Sequence, residues 1–530
     1  MSSIALWGTV IAGIVVLTPL ADRIRVPLPV LLTLFGIALP LLPGTPHLSI
    51  DPDLVLPVVL PPLLFAATQR STAREFSAQA RPILLTAVGL TIASAALVAV
   101  VAHAAGVPWA VAWVLGAIVA PPDPVAATAV ARRLRLPGRV VTVLEGEGMF
   151  NDATALVMYH VAVTAVVAGS VTAGEVGLDL ALALVVGIAV GLALGWLGHV
   201  VLGRLRVPAA ETTVTLALPF VAYVLAEELH GSGVLAVLSL GLLLRNVSHT
   251  SVSSGGWLLG RSVWEYADYL ITGVVFVLIG FELTSVLDGS PVGAATLPLA
   301  LGVVALLVVL RFVWMFPAVW LLERGLAARA VRQGVPADVA GVGAFTRRET
   351  TVISWAGMRG VVSVASALAL PHLVGSGDEF PHRDTVVFVG LMVVLMTLVL
   401  QGLTLAPVVR RLGVGSTVDE VAEIARLREE ATRAALESVL ARDDVPAPVR
   451  EAVALQYEGY LTAQRALSQA RSAGDDVEGR YGELVDALLR DATEVERGVV
   501  VRARNEGLAS PHVADEVLAD VEARAVRDLD

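Results

Sequence analysis

The chain has 530 residues, 56% of them hydrophobic and only 16% charged, with a net charge of −11 and a mean hydropathy of +0.76. So many apolar runs approaching the roughly 20 residues that span a bilayer define an all-α polytopic membrane protein rather than a soluble globule. Cysteine is absent, which excludes disulfides, thiolate zinc sites, iron–sulfur ligation and thiol catalysis, and the nine histidines hold no HxxxH-type pair, so no cofactor is expected.

The first apolar run begins at Ile4 with no basic stretch before it, so it is expected to serve as an uncleaved first crossing. Apolar runs and their breaks predict about thirteen crossings, at 4–20, 27–43, 53–69, 83–105, 109–131, 140–168, 176–202, 211–229, 231–247, 263–285, 291–321, 351–371 and 385–408. Lys does not occur, so Arg reports topology. Segments that follow odd-numbered crossings hold twenty Arg, whereas those that follow even-numbered crossings hold Arg383 alone. The asymmetry predicts an N-terminus outside and a cytoplasmic C-terminal tail.

The fifth crossing carries GAIVAPPDPVAATAV from Gly116 to Val130. Pro121, Pro122 and Pro124 donate no backbone hydrogen bond, so the helix must break, freeing carbonyls and placing Asp123 beside the N-terminus of the half-helix that follows. Interrupted helices at membrane depth are tolerated where they line a cavity or are buried in protein, and transporters build ion sites from them.

The sixth crossing reads LEGEGMFNDATALVMYH from Leu144 to His160 and holds Glu145, Glu147, Asn151 and Asp152. Hydrocarbon penalises such acids, which marks the segment for ion or proton handling. At about 100° per residue from Glu145, Glu147 and Asn151 fall at about 200° and 240°, Gly148 at about 300° and Asp152 at about 340°. Two faces follow. Asp152 returns to the Glu145 side and is assigned the cation and the proton; Gly148 leaves backbone room between the faces. Glu147 is assigned to anchor an Arg on another helix. Such a partner keeps one carboxylate ionised and leaves the other free to titrate, and a site that holds either a proton or a cation gives exchange by competition.

Further along, VWEYADYL reads as an interfacial aromatic belt of Trp264, Tyr266 and Tyr269 beside Glu265 and Asp268. Glu282 reads as solvated or funnel-lining, and His103, His160 and His199 as packed or interfacial. Arg311 and Arg359 lie within or at the edge of apolar segments. Each needs either a carboxylate, for which Asp123, Glu145, Glu147 and Asp152 are the pool, or several backbone carbonyls, or, for Arg359 above all, a route to the interface by snorkelling. The stretch from Val414 to Asp530 holds 25 acids and 14 Arg, against 23 of each sign before it. Two domains are expected: a membrane domain at 1–412, and an acidic cytoplasmic tail of three or four helices at 413–530 that is regulatory or dimer-stabilising.

Several of these segments resemble the sodium/proton exchanger family, the bacterial monovalent cation:proton antiporters. LEGEGMFNDATALV is similar to its Asn-Asp motif and APPDPVAATAV to its broken-helix Asp-Pro motif; LPPLLF from Leu60, GSGVLAV from Gly231, SWAGMRGVVSVASALALP from Ser354 and LVLQGLTLAPVV from Leu398 follow in family order. The resemblance covers roughly residues 10 to 410. It implies inverted repeats, two crossing broken helices and a homodimer. It also implies that Asp152 binds cation and proton beside Asn151, that Glu147 and Arg311 form a buried ion pair, that Asp123 marks the helix break, and that Arg359 is the family's arginine of the penultimate span. Two positions depart from the pattern. Gly148 stands where family members commonly have Ser, and Pro122 where they often have a non-proline residue, so coordination leans on backbone carbonyls and water.

The expectation is a plasma-membrane antiporter that exports Na+, with Li+ or K+ as further cargo, in exchange for H+ by alternating access in the service of pH homeostasis. Its partners are then these ions, membrane lipid and a second copy, with no nucleic acid. The alternatives are a K+ or broad monovalent cation/proton antiporter and, from another class, a cation-gated channel or sensor with the tail as output. An intramembrane hydrolase is disfavoured, because no GxGD, HExxH or Ser/His pairing is present.

Overall fold

The computed structural model describes residues 3–24, 26–41, 52–70, 85–123, 127, 128, 131, 134, 136–168, 173–289, 292–333, 345–374, 377–414, 420–472 and 480–506, with scattered positions beyond. Regular structure among them is helical, apart from one isolated antiparallel bridge between Leu373 and Glu379. The chain forms two compact units, Met1–Ser416 and Thr417–Asp530.

The first unit contains α1 (Ser3–Ile24), α2 (Leu28–Ala38), α3 (Pro52–Arg70), α4 (Leu85–Ala104), α5 (Trp109–Val119), α6 (Gly138–Ala168), α7 (Ala173–Leu202), α8 (Pro208–Glu228), α9 (Gly233–Ser251), α10 (Ser254–Gly289), α11 (Val292–Gln333), α12 (Arg347–Trp355), α13 (Val361–Leu368) and α14 (Arg383–Leu412). Among the described residues, α1, α4, α6, α7, α8, α10, α11 and α14 are long and apolar enough to cross a membrane, and α2, α3, α5 and α9 are shorter apolar helices. The stretch at 351–371, read from the sequence as one crossing, is instead two short helices, α12 and α13, joined by a non-helical segment at 356–360.

Large apolar side chains such as Trp196 (64% exposed) and Val313 (63%) face outward from α7 and α11, the surface that lipid covers in a membrane protein. Within a bilayer, close backbone approach replaces the hydrophobic drive between helices. The crossing of α2 and α10 shows this. Gly36 lies against the Val277 carbonyl and Gly280 against the Thr33 carbonyl, and a Cβ on either glycine would overlap the opposing backbone. Local signals fix the ends: a Thr346–Glu349 capping box opens α12, and Gly413 at φ +62° closes α14.

The second unit contains α15 (Glu420–Leu440), α16 (Ala447–Ser472) and α17 (Arg480–Asn505). Leu461 and Ala454 are buried in it. Glu429 joins α15 to α16 by accepting from Arg465.

Candidate cation and proton site

The site begins with two helices that cannot run through. α5 stops at Val119 because Pro121 and Pro122 have no N–H to return to the preceding turn. Asp123 then donates its backbone N–H to the Met358 carbonyl, 2.6 Å away, in the segment between α12 and α13. The two breaks meet there. Pro124, the third proline of the sequence reading, lies outside the described residues.

Interrupted ends carry partial charges, and each is met by a side chain of opposite sign. Arg359, 2% exposed, donates from Nε to the Val119 carbonyl at 3.0 Å and from Nη2 to the Ala120 carbonyl at 3.4 Å, both left open at the C-terminal end of α5. Its Nη1 donates to the Gly357 carbonyl, and Thr397 Oγ1 accepts its backbone N–H at 3.1 Å. Of the two outcomes open from the sequence, burial holds rather than snorkelling. At the other polarity, the Asp123 carboxylate packs against Gly360, the N-cap of α13, where any Cβ would overlap it.

Helix α6 presents two faces to these breaks. Glu147, 1% exposed, accepts from Arg311 Nη1 at 2.6 Å and Nη2 at 2.8 Å, a two-pronged contact that satisfies both carboxylate oxygens. Arg311 Nε reaches the Ile353 carbonyl in the last turns of α12 at 3.2 Å. Asn151 is fully buried and its Nδ2 donates to the Pro122 carbonyl at 3.0 Å, which ties α6 to the first break. On the other face, Glu145, Gly148 and Asp152 line a cavity together with Pro121, Asp123 and Thr128, Leu63, Leu64 and Ala67 of α3, Asp268 and Thr272 of α10, and Gly360 to Ser363. The helix thus divides as the 100° count divides it.

Of the residues assigned to the cation from the sequence, Asp152, Asp123 and Gly148 border the cavity, whereas Asn151 and Pro122 are bonded to each other and are not among its lining residues. Asp268, placed at a membrane interface from the sequence, also stands on the cavity wall, with Thr272 one turn further along the same face of α10. The i, i+4 spacing was the available signal. The aromatic belt reduces to Tyr266, 64% exposed; Trp264 is 7% exposed and packs on Phe65 with ring centroids 4.7 Å apart, while the Tyr269 hydroxyl lies 2.7 Å from Thr18 Oγ1. Glu265 pairs with Arg261 at the surface, 2.8 Å apart. His103 stacks on Trp109 and meets the Val107 carbonyl.

Four carboxylates, Asp123, Glu145, Asp152 and Asp268, share the cavity wall, and among the described residues no basic side chain lines it. Such a cleft concentrates cations. Among the described residues no group of three or more His, Asp and Glu side chains is gathered as a metal cage.

Residues 10–411 match the family described as sodium/hydrogen exchanger, transmembrane. An uncharacterized Na+/H+ exchanger of Mycobacterium bovis is 33% identical over 98% of this chain and 95% of its own length. A sodium, potassium, lithium and rubidium/H+ antiporter of Bacillus pumilus is 27% identical over 78% of this chain and 62% of its own. Among solved structures, the sodium proton antiporter MjNhaP1 from Methanocaldococcus jannaschii has a similar fold, with a TM-score of 0.59 at 18% identity over 77% of this chain and 98% of that one. A match across the whole membrane unit, full-length similarity to a relative and a shared all-helical fold lead to one statement: this multi-span membrane protein belongs to the sodium/hydrogen exchanger family of transporters.

Proposed function

We propose that the chain is a secondary antiporter that exchanges Na+ for H+ across the plasma membrane by alternating access, with Asp152 as the group the two ions compete for. The division of α6 carries this reading: Arg311 holds the Glu147 charge in place, while Asp152 faces an acid-lined cavity. An ionised Asp152 offers two oxygens to a cation. Protonation removes that charge and releases the ion, so each cargo enters only as the other leaves. Asn151, through the Pro122 carbonyl, holds the first break against the helix that carries Asp152, and Gly148 leaves room for the ion beside the backbone.

The arginine asymmetry supports a cytoplasmic tail and a cavity mouth near Glu145 and Asp268 on the cytoplasmic side. A proton gradient then drives Na+ out, which serves pH homeostasis, and the family resemblance supports a homodimer. A broader monovalent range is the second reading. Gly148 contributes no side-chain oxygen, and the Bacillus pumilus relative is named for four cations.

Proton flux in proteoliposomes loaded in turn with Na+, Li+ and K+ tests the reading. Asp152→Asn is expected to abolish cation-driven flux while the protein still inserts; retained flux removes Asp152 from its role. Cation conductance in a planar bilayer without coupled proton movement would make the protein a channel instead.

A further inference from the structure

Ser363, the third residue of α13, is 2% exposed and lines the cavity, yet its hydroxyl has no hydrogen-bond partner among the described residues. Several other hydroxyls of this unit behave differently. Those of Thr33, Thr154, Ser354 and Thr397 each donate to the carbonyl four residues back. Four residues before Ser363 is Arg359, inside the break, where the backbone is not helical; the carbonyl of Gly360 already accepts from Val364 N–H at 3.2 Å. The interruption that builds the site therefore leaves this hydroxyl unclaimed. Thr272 Oγ1, on the α10 wall of the same cavity, is likewise without a partner among the described residues.

A desolvated alkali cation is a hard ion that needs several oxygens around it. On α6, Gly148 leaves the wall bare between Glu145 and Asp152. The positive end of α13 would repel a cation, but Asp123 lies against Gly360 and offsets it. A buried hydroxyl with two lone pairs at that end is a neutral ligand at no cost in charge. We propose that Ser363, with Thr272 as the second hydroxyl on the way in from Asp268, supplies neutral oxygen to the cation carried at Asp152, so that α13 rather than α6 sets preference among monovalent cations. The assignment rests on the exchange reading above.

The full chain, which has no cysteine of its own, allows a thiol test. In proteoliposomes Ser363→Ala is expected to raise the Na+ concentration for half-maximal proton flux by about ten-fold, the loss of one charge-assisted ligand. Melting in Na+-free buffer should stay as in the wild type. Ser363→Cys replaces a hard oxygen by a soft sulfur, so its ratio of half-saturating Na+ to half-saturating Tl+ should rise by about ten-fold or more. A packing role would not produce that shift. An unchanged Tl+ preference in Ser363→Cys overturns the assignment, and if that variant does not fold, an unchanged Na+ half-saturation in Ser363→Ala does so. Wild-type protein without any cation-driven proton flux would instead sink the exchange reading, a result distinct from either.

Discussion

Arginine meets glutamate in both units, and the surroundings differ. In the membrane unit the Arg311 and Glu147 side chains are 3% and 2% exposed, and the guanidinium fork fills both carboxylate oxygens. In the tail Glu429 is shared by Arg433 at 2.6 Å and Arg465 at 2.9 Å, with these arginines 53% and 50% exposed. The atoms are the same and the consequences opposite. Without water, either member of the first pair becomes an uncompensated buried charge when the other is removed; at the surface, solvent takes the vacated place. The buried pair is therefore interdependent, and the exposed one adjusts register between two helices.

The largest effect should come from breaking the buried pair. Glu147→Ala or Arg311→Ala is expected to destabilise the membrane unit by about 3–5 kcal/mol, read as lost insertion and a lowered melting temperature in detergent. Exchanging the two charges, Glu147→Arg with Arg311→Glu, should recover part of that loss. A swapped protein no better than either single variant would mean that their mutual contact is not what holds α6 to α11.

Next comes the point where the two breaks touch. A Cβ at position 360 would overlap the Asp123 carboxylate, so Gly360→Ala should cost about 1–3 kcal/mol of overpacking and lower proton flux by pushing α13 away from α5. Adding Asp123→Ala should restore melting but not flux. If Gly360→Ala melts and transports as the wild type does, the close approach is not a requirement of the fold.

These two sites also mark how far the sequence could be read. The first break was legible because its cause is covalent: Pro121 and Pro122 lack the donor that a continuing helix needs. The split of α6 was legible because 100° steps hold in any straight helix. The second break has no proline between Ala356 and Gly360, and an apolar run there reads as one crossing. What opens it is tertiary: Asp123 N–H takes the Met358 carbonyl, and Thr397 takes Arg359 N–H from α14. The place of Asp268 on the cavity was not legible for a related reason. Its aromatic neighbours in sequence suggest an interface, while its place on the cavity wall depends on how α10 packs against α3 and α13. Ser363 sits in an apolar run and is notable only because the break denies it the usual carbonyl.

The smallest expected effect is in the tail, and it fixes the other end of the comparison. Hydrogen bonds from Arg465 first, and from Arg433, hold the Glu429 carboxyl below its ordinary value. A carboxylate whose folded value is depressed contributes fully above the ordinary carboxylate range, and that contribution fades as pH falls through the lowered folded value. At neutral pH that contribution is present in full, so high salt, which screens an exposed pair, is what should make amide hydrogen exchange of α15 and α16 in the full chain insensitive to Glu429. Glu429→Gln should speed it slightly at low salt and flatten its dependence on acid. Should Glu429→Gln open α15 and α16 as thoroughly as Glu147→Ala opens the membrane unit, exposure would not be what separates the two kinds of ion pair, and the interdependence of Glu147 and Arg311 would need a cause other than their burial.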